Sequence, residues 1–437
     1  MYTVLRGIRR RAEQAPPSRE RFIDLLRAIS IVAVVLGHWL VATVGYDRDG
    51  ELNGRSALPE LPWAHPLTWL VQVMPVFFLV GGYANAASLA AVRRRGGNAT
   101  GWLLNRSGRL LRPTTALVLV TAGGALAARL FGADPARVRL VAWFASIPLW
   151  FLVAYLAVVV LTPVMYALHR RYGLAVPVVL VCLVALGDVA RLLGEPFWGN
   201  GNFLFGWLAV HQMGFAWRDG LLPSRARVAL PLVCGGAASC WCSPSPPLSG
   251  QHDQRARGAA AQHVTAEPGP AGVAATQLGV ALLLRERGER WLRVSRVWIA
   301  VVAVNAVILT IFLWHVSAAI LLAAALHAAG VLPVSEAGSA AWFAWRLPLL
   351  VMLGLVLVLL VAIAGPIEVR RTGRISGPPP WLVVPVVAGF AAVIAGLLGN
   401  SLLPSTSPTL FGWPTPALIA YLAGTAVLRL LRRTSDS

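Results

Sequence analysis

The stretch from Phe22 to Val44 is apolar for long enough to cross a bilayer as one helix, yet it carries Asp24, Arg27 and His38. Ionisable groups inside a spanning helix are costly, so their presence points to function before structure. At about 100° per residue the three fall on one narrow stripe. Arg27 and His38 stand eleven residues apart, about 16 Å along a helix axis. A helix entering from the side of Arg21 holds Arg27 just inside one interface and His38 past the middle of the membrane. The structural alternatives are an Asp24–Arg27 pair that snorkels to the interface and a packed, hydrogen-bonded histidine.

Similar apolar runs recur along the chain, and the composition agrees with them. Of 437 residues, 57% are hydrophobic and 13% charged, and the mean hydropathy is +0.67. These values exclude an ordinary soluble enzyme and require a polytopic, all-α membrane bundle. A net charge of +20 would suggest nucleic acid in a soluble chain. Here the arginines cluster in short segments between apolar runs, and membrane topology accounts for them without a nucleic-acid partner.

The runs predict spans near 22–44, 66–91, 113–131, 140–166, 174–193, 199–217, 226–240, 271–284, 297–327, 341–365, 381–398 and 414–431. Arginine clusters at 93–95, 106–112, 170–171, 285–296 and 370–374 mark inside loops. Both termini then lie inside, and Met1–Glu20 is a basic cytoplasmic tail without a cleavable signal. Residues 102–112 read as a helix lying at the interface, and Pro75 as a kink. Asp188 and Arg191, three apart, read as a structural ion pair. Asn200, Asn202, His211 and Gln212 either line a cavity or bridge helices. Cys182 and Cys234 lie in apolar runs. Cys240 and Cys242 lack a second ligand pair, and no metal-binding spacing appears elsewhere.

The motifs themselves resemble a known family. Arg27, ten residues, then His38 in the first span, opened by Arg-Phe-Ile-Asp-Leu-Leu-Arg-Ala, resembles the acyltransferase-3 family of integral-membrane acyltransferases. Met74-Pro75-Val76-Phe77-Phe78-Leu79-Val80-Gly81-Gly82-Tyr83 resembles its second helix, with Gly81 where the family often has Ser. Arg106-Ser107-Gly108-Arg109-Leu110-Leu111-Arg112-Pro113 is similar to its basic loop, and Phe312-Leu313-Trp314-His315 to a histidine-bearing late helix. The likeness covers roughly 20–365. It implies a ten-helix membrane domain over 21–365, a linker at 366–380 and two extra helices over 381–437. Many members carry a glutamate near Pro148–Tyr155; this chain has none there.

The resemblance implies transfer of an acetyl or other short acyl group from acyl-CoA, acetyl-CoA first, to a hydroxyl of a glycan, glycolipid or metabolite. No cofactor stays bound, and the host is the plasma membrane. Such chemistry needs a general base, and His38 is the candidate, since imidazole titrates near neutrality and burial would keep it neutral. Arg27, Arg106, Arg109 and Arg112 suit the carrier's phosphates. His315 lines the same cavity or caps a helix contact. The rival readings are a transporter, against which no internal repeat is found, and an inactive relative.

Residues 242–270 break the pattern, being rich in Ser, Pro, Arg, Gln and Gly with no apolar period. The resemblance places an apolar stretch containing Asn, Thr and Pro here. Two readings stand: an authentic outer loop, or a segment translated out of frame between compensating indels. On the second, another frame of the coding DNA over this interval yields a family-like apolar stretch; if neither frame does, only the loop reading survives.

Overall fold

In the computed structural model the apolar runs fold as helices, several of them shorter than the expected spans or broken in two. The structure describes residues 10, 13–14, 19–46, 52–65, 67–68, 72–222, 226–242, 269–370, 377–404 and 409–436. The basic tail up to residue 9, the acidic positions Asp47, Asp49 and Glu51, the atypical segment 243–268, and Arg371 and Arg374 lie outside the described residues. Among the described residues the chain forms fourteen α-helices and one two-stranded sheet. Eight helices are long and apolar enough to cross a membrane, against twelve expected spans, and two shorter apolar helices cover Arg227–Gly236 and Arg296–Ala306.

The first helix, α1 (Arg21–Val41), stops three residues early. Ala42–Tyr46 leaves it as strand β1 and pairs antiparallel with β2 (Leu52–Ser56), Ala42 opposite Ser56 and Tyr46 opposite Leu52. The second, α2 (Met74–Arg94), starts later than expected. Pro75 sits in its first turn, where a missing N–H costs nothing, so the expected kink does not arise. The surface helix and third span predicted around Pro113 form one helix, α3 (Ala99–Leu130), capped by the Asn98 side chain accepting from Gly101 N at 2.9 Å. Trp102, Leu103, Leu104 and Leu111 are buried in the core, which a helix resting on the membrane surface would not allow.

The predicted fourth span divides at Ile147–Pro148 into α4 (Pro135–Ser146) and α5 (Leu149–Tyr172), because Pro148 interrupts the hydrogen-bond ladder. Then follow α6 (Ala175–Leu192), α7 (Asn202–Arg218) and α8 (Ala226–Cys242). The ninth, α9 (Gly269–Trp291), runs on through most of the basic segment read as a loop. The span predicted at 297–327 is also broken, at Val307, into α10 (Ser295–Ala306) and α11 (Ile308–Ala328). Last come α12 (Ala340–Val369), α13 (Val383–Leu402) and α14 (Thr415–Asp436).

One core joins α1–α3, α5, α7, α11 and α12 to the last two helices, with Leu117, Leu156, Phe215 and Leu313 in the same cluster as Val386, Phe390, Val393 and Tyr421. The guanidinium of Arg139, wholly buried on α4, donates to Asn400 Oδ1 at 2.7 Å and to the carbonyls of Asn400, Leu403 and Gly412 at 3.0–3.2 Å. Thr115 and Tyr421 hydroxyls meet at 2.9 Å. Asp188 and Arg191 form the expected ion pair at 3.7 Å, and Asn202 donates to Asp188 at 2.7 Å. His211 and Gln212 bridge helices, to Asn85 at 3.1 Å and to the Met165 carbonyl at 3.0 Å.

The tightest crossing is between α2 and α7. A Cβ on Gly82 would overlap the His211 carbonyl, and one on Gly214 the Leu79 carbonyl. Small residues at such crossings let helix backbones approach closely in a membrane. Gly82→Val should cost about 1–3 kcal/mol by forcing the backbones apart, read as a lower thermal midpoint of the purified protein. An unchanged midpoint would show that the helices do not pack this closely.

Candidate active site

The polar stripe of α1 faces into the bundle, opposite the exposed Ile29, Leu36 and Leu40. Near the start of the helix, Asp24 is buried and accepts from Arg19 Nε at 2.6 Å, with Arg27 at 3.8 Å. Asn305 donates to the Asp24 carbonyl at 2.9 Å, and Glu289 accepts from Phe22 N at 2.7 Å. These contacts anchor the entry of α1 against α9 and α10.

At the other end of the stripe, His38 meets His315. The two side chains come from positions 277 residues apart, and His38 Nδ1 lies 2.8 Å from His315 Nε2. The ring planes are within 5° of each other. His315 Nδ1 lies 2.6 Å from the Phe312 carbonyl oxygen. That carbonyl only accepts, so in the neutral pair His315 carries its proton on Nδ1 and presents Nε2 as an acceptor. His38 therefore donates from Nδ1, and its basic lone pair is on Nε2. His315 is wholly buried and Trp39 Nε1 donates to its carbonyl at 3.0 Å. His38, which the sequence reading placed in a buried setting, is instead exposed, on the inward side of α1. The pair places the burial on the partner.

Between the start of α1 and this pair lies a cavity of about 750 Å³. Arg27, Arg106 and Arg109 line it, as do Ile31 on α1 and Leu309 and Phe312 on α11. Neither histidine lines it; it ends one turn short of His315, at Phe312. Its inner end is aromatic: Phe151 stands edge-on to Phe77 at 4.9 Å and to Phe312 at 5.3 Å, with Tyr155 beside it. Arg106 donates to Ser88 Oγ at 2.8 Å and lies over the Trp102 ring, while Arg109 is exposed to the cavity. Arg112 does not share the cavity. It is one turn past Arg109 on α3 and sits within electrostatic reach of Arg370 and Arg429 instead.

A model of the acyltransferase domain of the acyltransferase-3 family matches residues 20–367. The chain belongs to that family. No curated protein and no solved structure matches it. The stretch where many acyltransferase-3 members have a glutamate here contributes Phe151, Leu152 and Tyr155 to the cavity wall. Gly81, where the family often has Ser, fits this change: a Cβ there would stand 3.1 Å from the Tyr155 ring.

Sequence reasoning missed Glu368. Its carboxylate lines the cavity and accepts from Leu309 N at 3.1 Å, Thr310 N at 2.8 Å and Thr310 Oγ1 at 2.6 Å. It thereby caps the free amides where α11 restarts after the break at Val307. The available signal was that Glu368 is the lone acid of the long apolar run 340–369. Glu368→Ala leaves those amides without an acceptor and should cost about 1–3 kcal/mol. The measurement is the thermal midpoint in detergent; no change would mean that water or another group caps the helix equally well.

Proposed function

We propose that this acyltransferase is an O-acyltransferase that moves an acetyl or other short acyl group from acyl-CoA to a hydroxyl of a glycan, glycolipid or metabolite. The observation that carries the reading is the chain of close contacts from the Phe312 carbonyl through His315 to His38, set beside a cavity lined by arginines. His38 Nε2 takes the proton of the acceptor hydroxyl as its oxygen attacks the thioester carbonyl. The C–S bond then breaks, and the imidazolium returns the proton to the departing thiolate. While His38 is charged, both its nitrogens donate, and His315 Nε2 accepts from one of them.

Arg27, Arg106 and Arg109 supply the positive lining for the carrier's phosphates. The aromatic end of the cavity favours a short acyl group over a long one. The arginine-rich segments face the cytoplasm, both chain ends are inside, and the host is the plasma membrane. Acyl-CoA is a substrate that comes and goes; no resident cofactor or metal enters this scheme.

Membranes carrying the protein should transfer labelled acetyl from acetyl-CoA. His38→Ala should lower the rate about 10²–10⁴-fold, and His315→Phe by a smaller factor with an altered pH–rate profile, because it acts through His38. Arg109→Ala should raise KM for the donor and leave kcat nearly unchanged. Full activity of the His38 variant would overturn the assignment of the base.

A further inference from the structure

Past the histidine pair along both helices lies a second chamber, which neither histidine lines. On α11, Leu309 and Phe312 face the arginine-lined cavity, then comes His315, and then Ala319 and Leu322 face the second chamber. On α1 the order is Arg27, Ile31, His38 and then Trp39 and Ala42. Trp39 joins the two parts, since it lines the chamber while its indole N–H donates to the His315 carbonyl at 3.0 Å. The chamber measures about 80 Å³, lies between α1, α11 and α12, and is bordered by Trp345, itself 45% exposed.

Its lining carries no acid and no amide side chain; Leu322, Leu349 and Leu353 give its aliphatic character. Two of the polar groups it does hold, Arg346 and Thr43, are largely engaged within the protein. Arg346 donates to the Ala42 carbonyl at 2.7 Å and to Thr43 Oγ1 at 3.2 Å, and lies 3.8 Å over the Trp342 ring. Thr43 Oγ1 accepts from Trp342 Nε1 at 3.1 Å as well. That leaves the Ser335 hydroxyl, the Trp345 indole and Arg346 Nε, the last buried without a partner, which together are too few for a polyol. Each sugar hydroxyl brought in without a partner is penalised, whereas hydrocarbon is favoured.

We infer that this chamber receives the acyl acceptor, and that the acceptor's reacting end is hydrocarbon carrying an isolated hydroxyl, not a polyhydroxylated sugar. The inference rests on the acyltransferase reading above and narrows its acceptor class. The volume takes only the reacting end; the remainder extends past Trp345 toward the bilayer.

The test uses the full-length protein in nanodiscs with labelled acetyl-CoA and two probe alcohols, decan-1-ol and methyl glucoside. Decyl acetate should form with a kcat/KM at least twentyfold above that for the glucoside. Leu349→Trp and Ala319→Leu, which fill the chamber, should each lower decyl acetate formation at least tenfold with acetyl-CoA binding unchanged. Preference for the glucoside, or no effect of either variant, overturns the inference while the acyltransferase reading stands. A diazirine-bearing decanol provides a readout that needs no donor. It should label α12 between Trp342 and Leu353, with decan-1-ol competing and decane not. Equal competition by decane marks a groove for lipid tails and overturns the assignment. Absence of acetyl-CoA binding by the wild-type protein counts against the acyltransferase reading itself, and the labelling then still decides what the chamber holds.

Discussion

A break in a helix exposes amides that need an acceptor, and at the start of α11 one carboxylate supplies it. Glu368, at the end of α12, holds the amides of Leu309 and Thr310 where α11 restarts. The placement of the site follows from that contact. It fixes the first turn of α11, and hence Phe312, whose side chain closes the cavity and whose carbonyl orders the proton on His315. His315 in turn sets the proton on His38.

The same arrangement separates two kinds of surroundings. On one side of the histidine pair is a large cavity lined by four arginines and three acids; on the other is a small chamber of mostly aliphatic and indole groups with Arg346 at its wall. A charged carrier and an apolar alcohol would not share one pocket well, since each would desolvate the other's partners. Two chambers on opposite sides of one histidine pair avoid that conflict.

The class of fold was legible because length and hydropathy leave a chain like this few options. The stripe of Asp24, Arg27 and His38 was legible because helical spacing alone puts it on one face. The breaks were harder. Pro148 marks one, but nothing in the local sequence around Val307 stops a helix; the cap that stabilises that break comes from α12. The apolar periodicity of Ala42–Val44 also fits helix and strand alike, and pairing with Leu52–Ser56 decides it. His315 could be placed no more closely than at a cavity wall or a helix contact, because its partner is 277 positions away. Arg112 shows the reverse error. It shares a motif with Arg109, yet the turn of α3 carries it toward Arg370 and Arg429, away from the cavity.

Arg139 has a consequence for how the protein is made. Its guanidinium lies on the fourth helix, and every acceptor it uses belongs to the thirteenth helix or the turn after it. During synthesis that cation enters the bundle long before those carbonyls leave the ribosome, and an unpaired buried guanidinium is not tolerated. The fourth helix can therefore reach its final packing only once the thirteenth helix and the loop after it have been made.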